Sequence, residues 1–194
     1  MQVSKAFPFR IKDDAQLVMN VISNTVSSPI SITFTDFMST ICKLENEQIE
    51  IPNRMYYEEL PCKVYNDFTE SQLKILYCLY TRHHNGYVRQ KYLEKLFDMT
   101  IEEWEIPFII KLCDEYVIEI LVLIYDKLSN RTNDDIKEFC LNNKDMIHKG
   151  YERMMSYWNV YYRRDYFDFY NYIGRKLFRE YFGFDKSFKM DIVS

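Results

Sequence analysis

From Thr69 onward, apolar residues recur every three or four positions, and polar clusters interrupt them at regular intervals. The apolar runs "LKILYCLY", "WEIPFIIKLC" and "IKEFCL" each end in a polar corner, "HHNG", "DE" and "NNKD". Each corner leads into a second helical pattern: "YVRQKYLEKLF", "YVIEILVLIYDKL" and "MIHKGYERMMSYW". The openings are marked too. Thr69 with Gln72, and Thr100 with Glu103, form capping boxes, in which hydroxyl and carboxyl or amide satisfy orphan amides at a helix start. Thr132 with Asp135 is a weaker version. Pro107 is tolerated if 104–106 form an opening turn, or if the helix kinks there. The pattern predicts three helical hairpins over 69–163.

The flanks are less regular. Asp13 is placed to cap a helix carrying Leu17, Val18, Val21 and Ile22. The run "VSSPISITF" reads as a turn and a short extended piece. Phe37, Ile41 and Leu44 fall at helical spacing and predict a second helix over 36–44. Pro52 and Pro61 bracket "NRMYYEEL", a short helix within a connector. Beyond 150, Tyr151, Met155, Trp158 and Tyr162 form an apolar stripe widened by Met154, Tyr157 and Tyr161. Only Glu152, Ser156, Asn159 and Arg163 make a polar stripe, so this helix should be buried over most of its circumference, Trp158 included. A final helix over 166–182 would turn Phe169, Ile173, Leu177 and Tyr181 inward and end at Gly183.

The hairpin opening Gly86-Tyr87-Val88-Arg89, continuing to Leu93 and Leu96, resembles the second helix of a HEAT repeat. The 31- and 32-residue spacing of the threonines is more similar to the compact HEAT-like repeats of the phycobilin-lyase type. The second unit has Tyr116-Val117-Ile118-Glu119, without the arginine. The resemblance covers 69–163 and implies an all-α fold: a short right-handed stack of helical hairpins, a HEAT-like α-solenoid, closed by an aromatic-rich C-terminal cap. In that frame 1–62 form an N-terminal helical lobe and connector, and 164–194 the cap helix and tail, all within one domain. The function it implies is a protein-binding scaffold.

Composition narrows the classes further. The 194 residues are 47% hydrophobic and contain only 4 Gly and 5 Pro, which favours long helices over a turn-rich sandwich. A formal charge of −4 provides no global attraction to nucleic acid or an anionic membrane. The five cysteines, Cys42, Cys62, Cys78, Cys113 and Cys140, form no Cys-x-x-Cys pair and predict neither a zinc site nor a disulfide framework. Charges at Lys5, Arg10, Lys12, Asp13 and Asp14 break any apolar leader, and the most apolar stretch, 116–128, contains Glu119 and Asp126. A cytoplasmic, reduced protein without a membrane span is expected.

Candidate chemistry is sparse. His83 and His84 lack a third ligand at metal spacing, His148 being the only other histidine, and read as a helix corner for which Asn85-Gly86 supplies positive φ. The carboxylate clusters Glu58-Glu59, Glu102-Glu103-Glu105 and Asp134-Asp135-Glu138 read as solvated positions, two of them helix starts. Cys113 next to Asp114 has no histidine partner in sequence, and no cofactor or phosphate-loop motif occurs. The leading expectation is a non-enzymatic adaptor that binds another protein, with Tyr87, Arg89, Tyr161, Arg163, Arg164 and Arg175 as candidate partner-binding residues. The alternative is single-stranded nucleic acid held by Arg163, Arg164, Arg175, Lys176 and Arg179 among stacked aromatics. An enzyme without a motif comes third.

Overall fold

The computed structural model of the chain describes residues 3–26 and 39–184, and the description below is confined to them. They are mostly helical, with one small sheet. The chain divides into two compact units, Met1–Ile109 and Ile110–Ser194.

In the first unit, helix α1 (Lys12–Thr25) buries Ala15, Val18, Met19 and Ile22. Asp13 does not cap it; the N-cap is Ile11, and Leu17 faces out at 45% exposure. The anticipated helix over 36–44 is instead strand β1 (Ser39–Leu44), paired antiparallel with β2 (Glu47–Pro52). Phe37 and the "VSSPISITF" stretch from Ser27 on lie outside the described residues. The helical spacing rested on too few points. Period-2 burial of Cys42 and Leu44 on β1, and of Ile49 and Ile51 on β2, puts one face of the hairpin in the core and leaves Ile41 outside.

The connector after β2 is not helical either. Its backbone groups find partners in the corner between two later helices, α2 (Glu70–Tyr80) and α3 (Gly86–Phe97). Met55 N–H donates to Arg82 O (2.7 Å), His84 N–H to Met55 O (2.9 Å), and Leu60 N–H to the Tyr80 hydroxyl (2.9 Å). Those bonds outbid a local helix turn, since each buried amide must be satisfied somewhere. Helix α2 opens on the predicted Thr69–Gln72 capping box. It packs on α1 and on α3, and Ile75, Leu76, Leu79, Leu93 and Leu96 are buried. The Thr100–Glu103 box does not form; the start lies two residues later, where Glu105 accepts from Glu102 N–H (2.7 Å). A 3-10 turn at Glu103–Glu105 then leads into α4 (Ile106–Leu112), which places Pro107 in the first helical turn.

The second unit contains α5 (Ile118–Ser129), α6 (Asp134–Asn142), α7 (Lys144–Tyr157) and α8 (Ile173–Glu180). Helix α8 packs against α5 and α7, and α6 against α7. The Thr132–Asp135 start is displaced: Asn133 is the N-cap of α6, and its amide donates to Leu128 O (2.8 Å) and Arg131 O (3.0 Å). The last helix is shorter than 166–182, beginning only at Ile173. Its buried face is Gly174, Arg175, Leu177 and Phe178, with Phe169 and Tyr181 only half-buried. Gly183 turns left-handed (φ +67°) beyond the C-cap Tyr181, which returns Phe184 N–H to Phe178 O (2.9 Å). No helix among the described residues is long and apolar enough to cross a membrane.

Candidate interaction surface

Helix α7 buries only Ile147, Gly150 and Met154, a stripe one residue wide. At Trp158–Tyr162 the chain rewinds into a π turn before leaving the helix. The wider π winding moves side chains off the face that helical periodicity assigns them, and such turns are frequent at functional sites. The expectation of a helix buried over most of its circumference is therefore corrected. Val160 is 68% exposed, Tyr161 58% and Phe167 85%, and Trp158 is half-exposed. Trp158 still has a structural part: its indole N–H donates to Tyr166 O (2.9 Å) and its ring meets Phe169 at 4.6 Å, which holds the loop back toward α8.

Next to this apolar group stand two exposed cations. Arg163 donates to the Asn159 carboxamide oxygen (3.2 Å) and lies 6.0 Å from the Trp158 ring. Arg164 has no carboxylate partner among the described residues. Asn159, Val160, Tyr161, Arg163, Arg164 and Phe167 together line a shallow open depression. Tyr161 also joins a tyrosine group, 5.9 Å from Tyr116 and 6.1 Å from Tyr157, and the Tyr162 hydroxyl donates to Tyr116 O.

Three other arginines of the segment find partners within the unit, and Lys176 is half-buried on α8. Arg175 is 7% exposed, with its guanidinium over the rings of Tyr151 (5.5 Å) and Tyr170 (5.9 Å). Arg153 pairs with Asp114 (3.2 Å), and Arg179 with Glu180 (2.5 Å). Of the sequence-derived candidates, Tyr161, Arg163 and Arg164 are thus brought together on one exposed patch. Tyr87 is exposed in the other unit, at the start of α3. Arg89 is not on a surface: it is fully buried, and its guanidinium donates to the carbonyls of His83 and His84 (2.9 Å each).

That arginine belongs to the corner between α2 and α3, where His83 and His84 lie. The corner is real, and its inner side is a buried polar knot of Arg82, His83 and Arg89, while His84 and Asn85 are exposed. Asn85 has negative φ and caps α3, accepting from Tyr87 N–H (3.0 Å), and Gly86 is the first helical residue, so neither supplies positive φ. His83 is 3% exposed. Its Nε2 meets Tyr57 O (3.0 Å) and its Nδ1 meets Asn85 N–H (3.0 Å), which requires the neutral imidazole protonated at Nε2. Burial, and then the neighbouring His84, hold its pKa below the ordinary histidine value.

Most of the clustered carboxylates are exposed as expected, among them Glu58, Glu102, Glu103, Asp134 and Glu138, and one departs from that pattern. Glu105 is fully buried, and burial pushes its carboxyl up to about 7. Lys74, 3% exposed, reaches Thr100 O (2.6 Å) and Glu102 Oε1 (2.8 Å) and lies 3.7 Å from Glu105. Burial raises the thiols of Cys42 (to about 12), Cys78, Cys113 and Cys140, which leaves them protonated packing groups. No group of three His, Cys, Asp or Glu among the described residues could hold a metal ion. Sequence reasoning missed Val160 and Phe167; the signal for Phe167 was its position between Asp165 and Asp168, an apolar residue inside a polar loop. No family model, curated protein or solved structure matches the chain.

Proposed function

We propose that the chain is a non-enzymatic protein-interaction module that binds its partner through the π-wound end of α7. The observation that carries this reading is the concentration of exposed Val160, Tyr161 and Phe167 beside Arg163 and Arg164. Aromatic residues and arginine are the side chains that contribute most at protein interfaces, the aromatics because they bring large contact area at small entropic cost and arginine through its planar set of hydrogen-bond donors. The same proposal takes the hairpins of 69–163 as a HEAT-like stack; the packing of α3 on α2 and of α7 on α6 supports the hairpins themselves. An experimental structure in which 69–97 and 100–128 fail to superpose would remove the stack but not the surface. Five free cysteines, four of them buried, support a reducing cytoplasmic compartment.

The test is a pulldown from native lysate with the full chain and a Tyr161→Ser/Phe167→Ser variant. A protein retained in stoichiometric amount by the first and lost by the second is expected, with the melting temperature unchanged. Equal capture by both would refute the reading. The exposed arginines also favour a second reading, single-stranded nucleic acid stacked on Tyr161 and Phe167. Engagement of Arg175 and Arg179 within the unit leaves that track with Arg163, Arg164 and Lys176, and salt-dependent oligonucleotide binding is its signature.

A further inference from the structure

Resting on the protein-interaction reading, we propose that the depression beside the π turn is a socket for a short acidic segment of the partner protein. The segment's carboxylates pair with Arg163 and Arg164, and an apolar side chain between them enters the space between Val160, Tyr161 and Phe167.

Charge complementarity carries the assignment. Two guanidinium groups stand side by side in sequence and exposed, and among the described residues the one side-chain hydrogen bond either makes is Arg163's, to a neutral carboxamide. Asp165 follows directly but makes no ion pair with them among the described residues. Covering this surface with an apolar partner would desolvate both cations without compensation. A carboxylate answers the planar fork of a guanidinium with two parallel hydrogen bonds, and does so best when the guanidinium is already oriented. Arg163 is oriented, by its hydrogen bond to Asn159 and its position 6.0 Å from the Trp158 ring.

A nucleic-acid strand fits less well. Its phosphates repeat along a track, whereas Asp168 is fixed just beyond Phe167 by accepting from Tyr170 N–H (3.0 Å) and the Asn171 amide (2.9 Å). Together with a chain charge of −4, that carboxylate opposes a longer polyanion but not a segment carrying two acidic residues.

The experiment pans a random 12-residue peptide library on the full chain and on an Arg163→Glu/Arg164→Glu variant. The expected enrichment on the unmodified chain is Asp or Glu flanking an apolar or aromatic residue. On the variant, basic residues should replace the acidic ones. A recovered peptide, made synthetically, should bind each single arginine reversal about tenfold more weakly, and lose a similar factor when its own carboxylates become Gln or Asn. Enrichment without acidic preference, the same motif on both proteins, or no enrichment would overturn the socket. So would tighter binding of a 20-residue oligouridylate than of any recovered peptide, which would assign the arginines to phosphate. If lysate capture still depends on Tyr161 while the library shows no acidic preference, the socket fails and the interaction reading stands. If capture is also insensitive to Tyr161, both fall.

Discussion

Glu105 has no exposed surface, and its Oε1 lacks a hydrogen-bond partner among the described residues. Burial raises its carboxyl to about 7, against the ordinary value of 4.5. The folded chain therefore binds a proton that the unfolded chain releases, over the window from 4.5 to about 7. Stability from this group is fully present below that window, falls as pH rises through it, and stays low above it. Glu105→Gln keeps an acceptor for Glu102 N–H and removes the titration. It should raise stability at about pH 8 by on the order of 2 kcal/mol, with little effect at about pH 4, measured by urea unfolding. His83 acts in the opposite sense: its depressed value means stability is lost as pH falls below 6.5, so its slope separates from that of Glu105 by sign. Neither burial was legible in the sequence. Glu105 sits among acidic neighbours in what looks like a solvated helix start, and only Lys74, 31 positions earlier, explains why it can be inside.

At the level of elements, the contact of α8 with α7 turns on one glycine. A Cβ at Gly174 would stand 2.7 Å from Tyr172 Cε1 and 2.8 Å from Met154 Cγ. Met154 and Tyr172 are both fully buried, so the ring has little room to yield. Gly174→Ala gains roughly 1 kcal/mol of helix propensity but forces this contact apart. The expected net result is a loss of about 1–3 kcal/mol, read as a lower urea midpoint with unchanged slope. A stabilised variant would show that α8 can shift freely. Helices α2, α3 and α5 to α7 were legible because their apolar positions repeat often enough to exclude strand. The hairpin β1–β2 was not. It is too short for a periodicity to assert itself, and its buried face is defined only by the core it covers.

For the molecule as a whole, the balance of charge makes a separate prediction. With 25 basic against 29 acidic side chains, and three arginines of the basic–aromatic segment engaged internally, the chain should elute from heparin below about 150 mM salt. Strong retention at higher salt, lost in Arg163→Glu/Arg164→Glu, would favour nucleic acid over an acidic protein segment. What the sequence determined by itself is what local interactions decide: the helical class, the capping box at Thr69 and the turn at Gly183. Each depends on residues within a few positions of one another. What only the tertiary structure decided is which side chains meet water. The connector after Pro52 gave up helix because the α2–α3 corner offered its amides better partners. Arg89 went inside to hold two carbonyls there, and Tyr161 came out because a π turn redirected the end of α7. Burial is settled by elements far apart in the chain, and no periodicity read along one segment contains it.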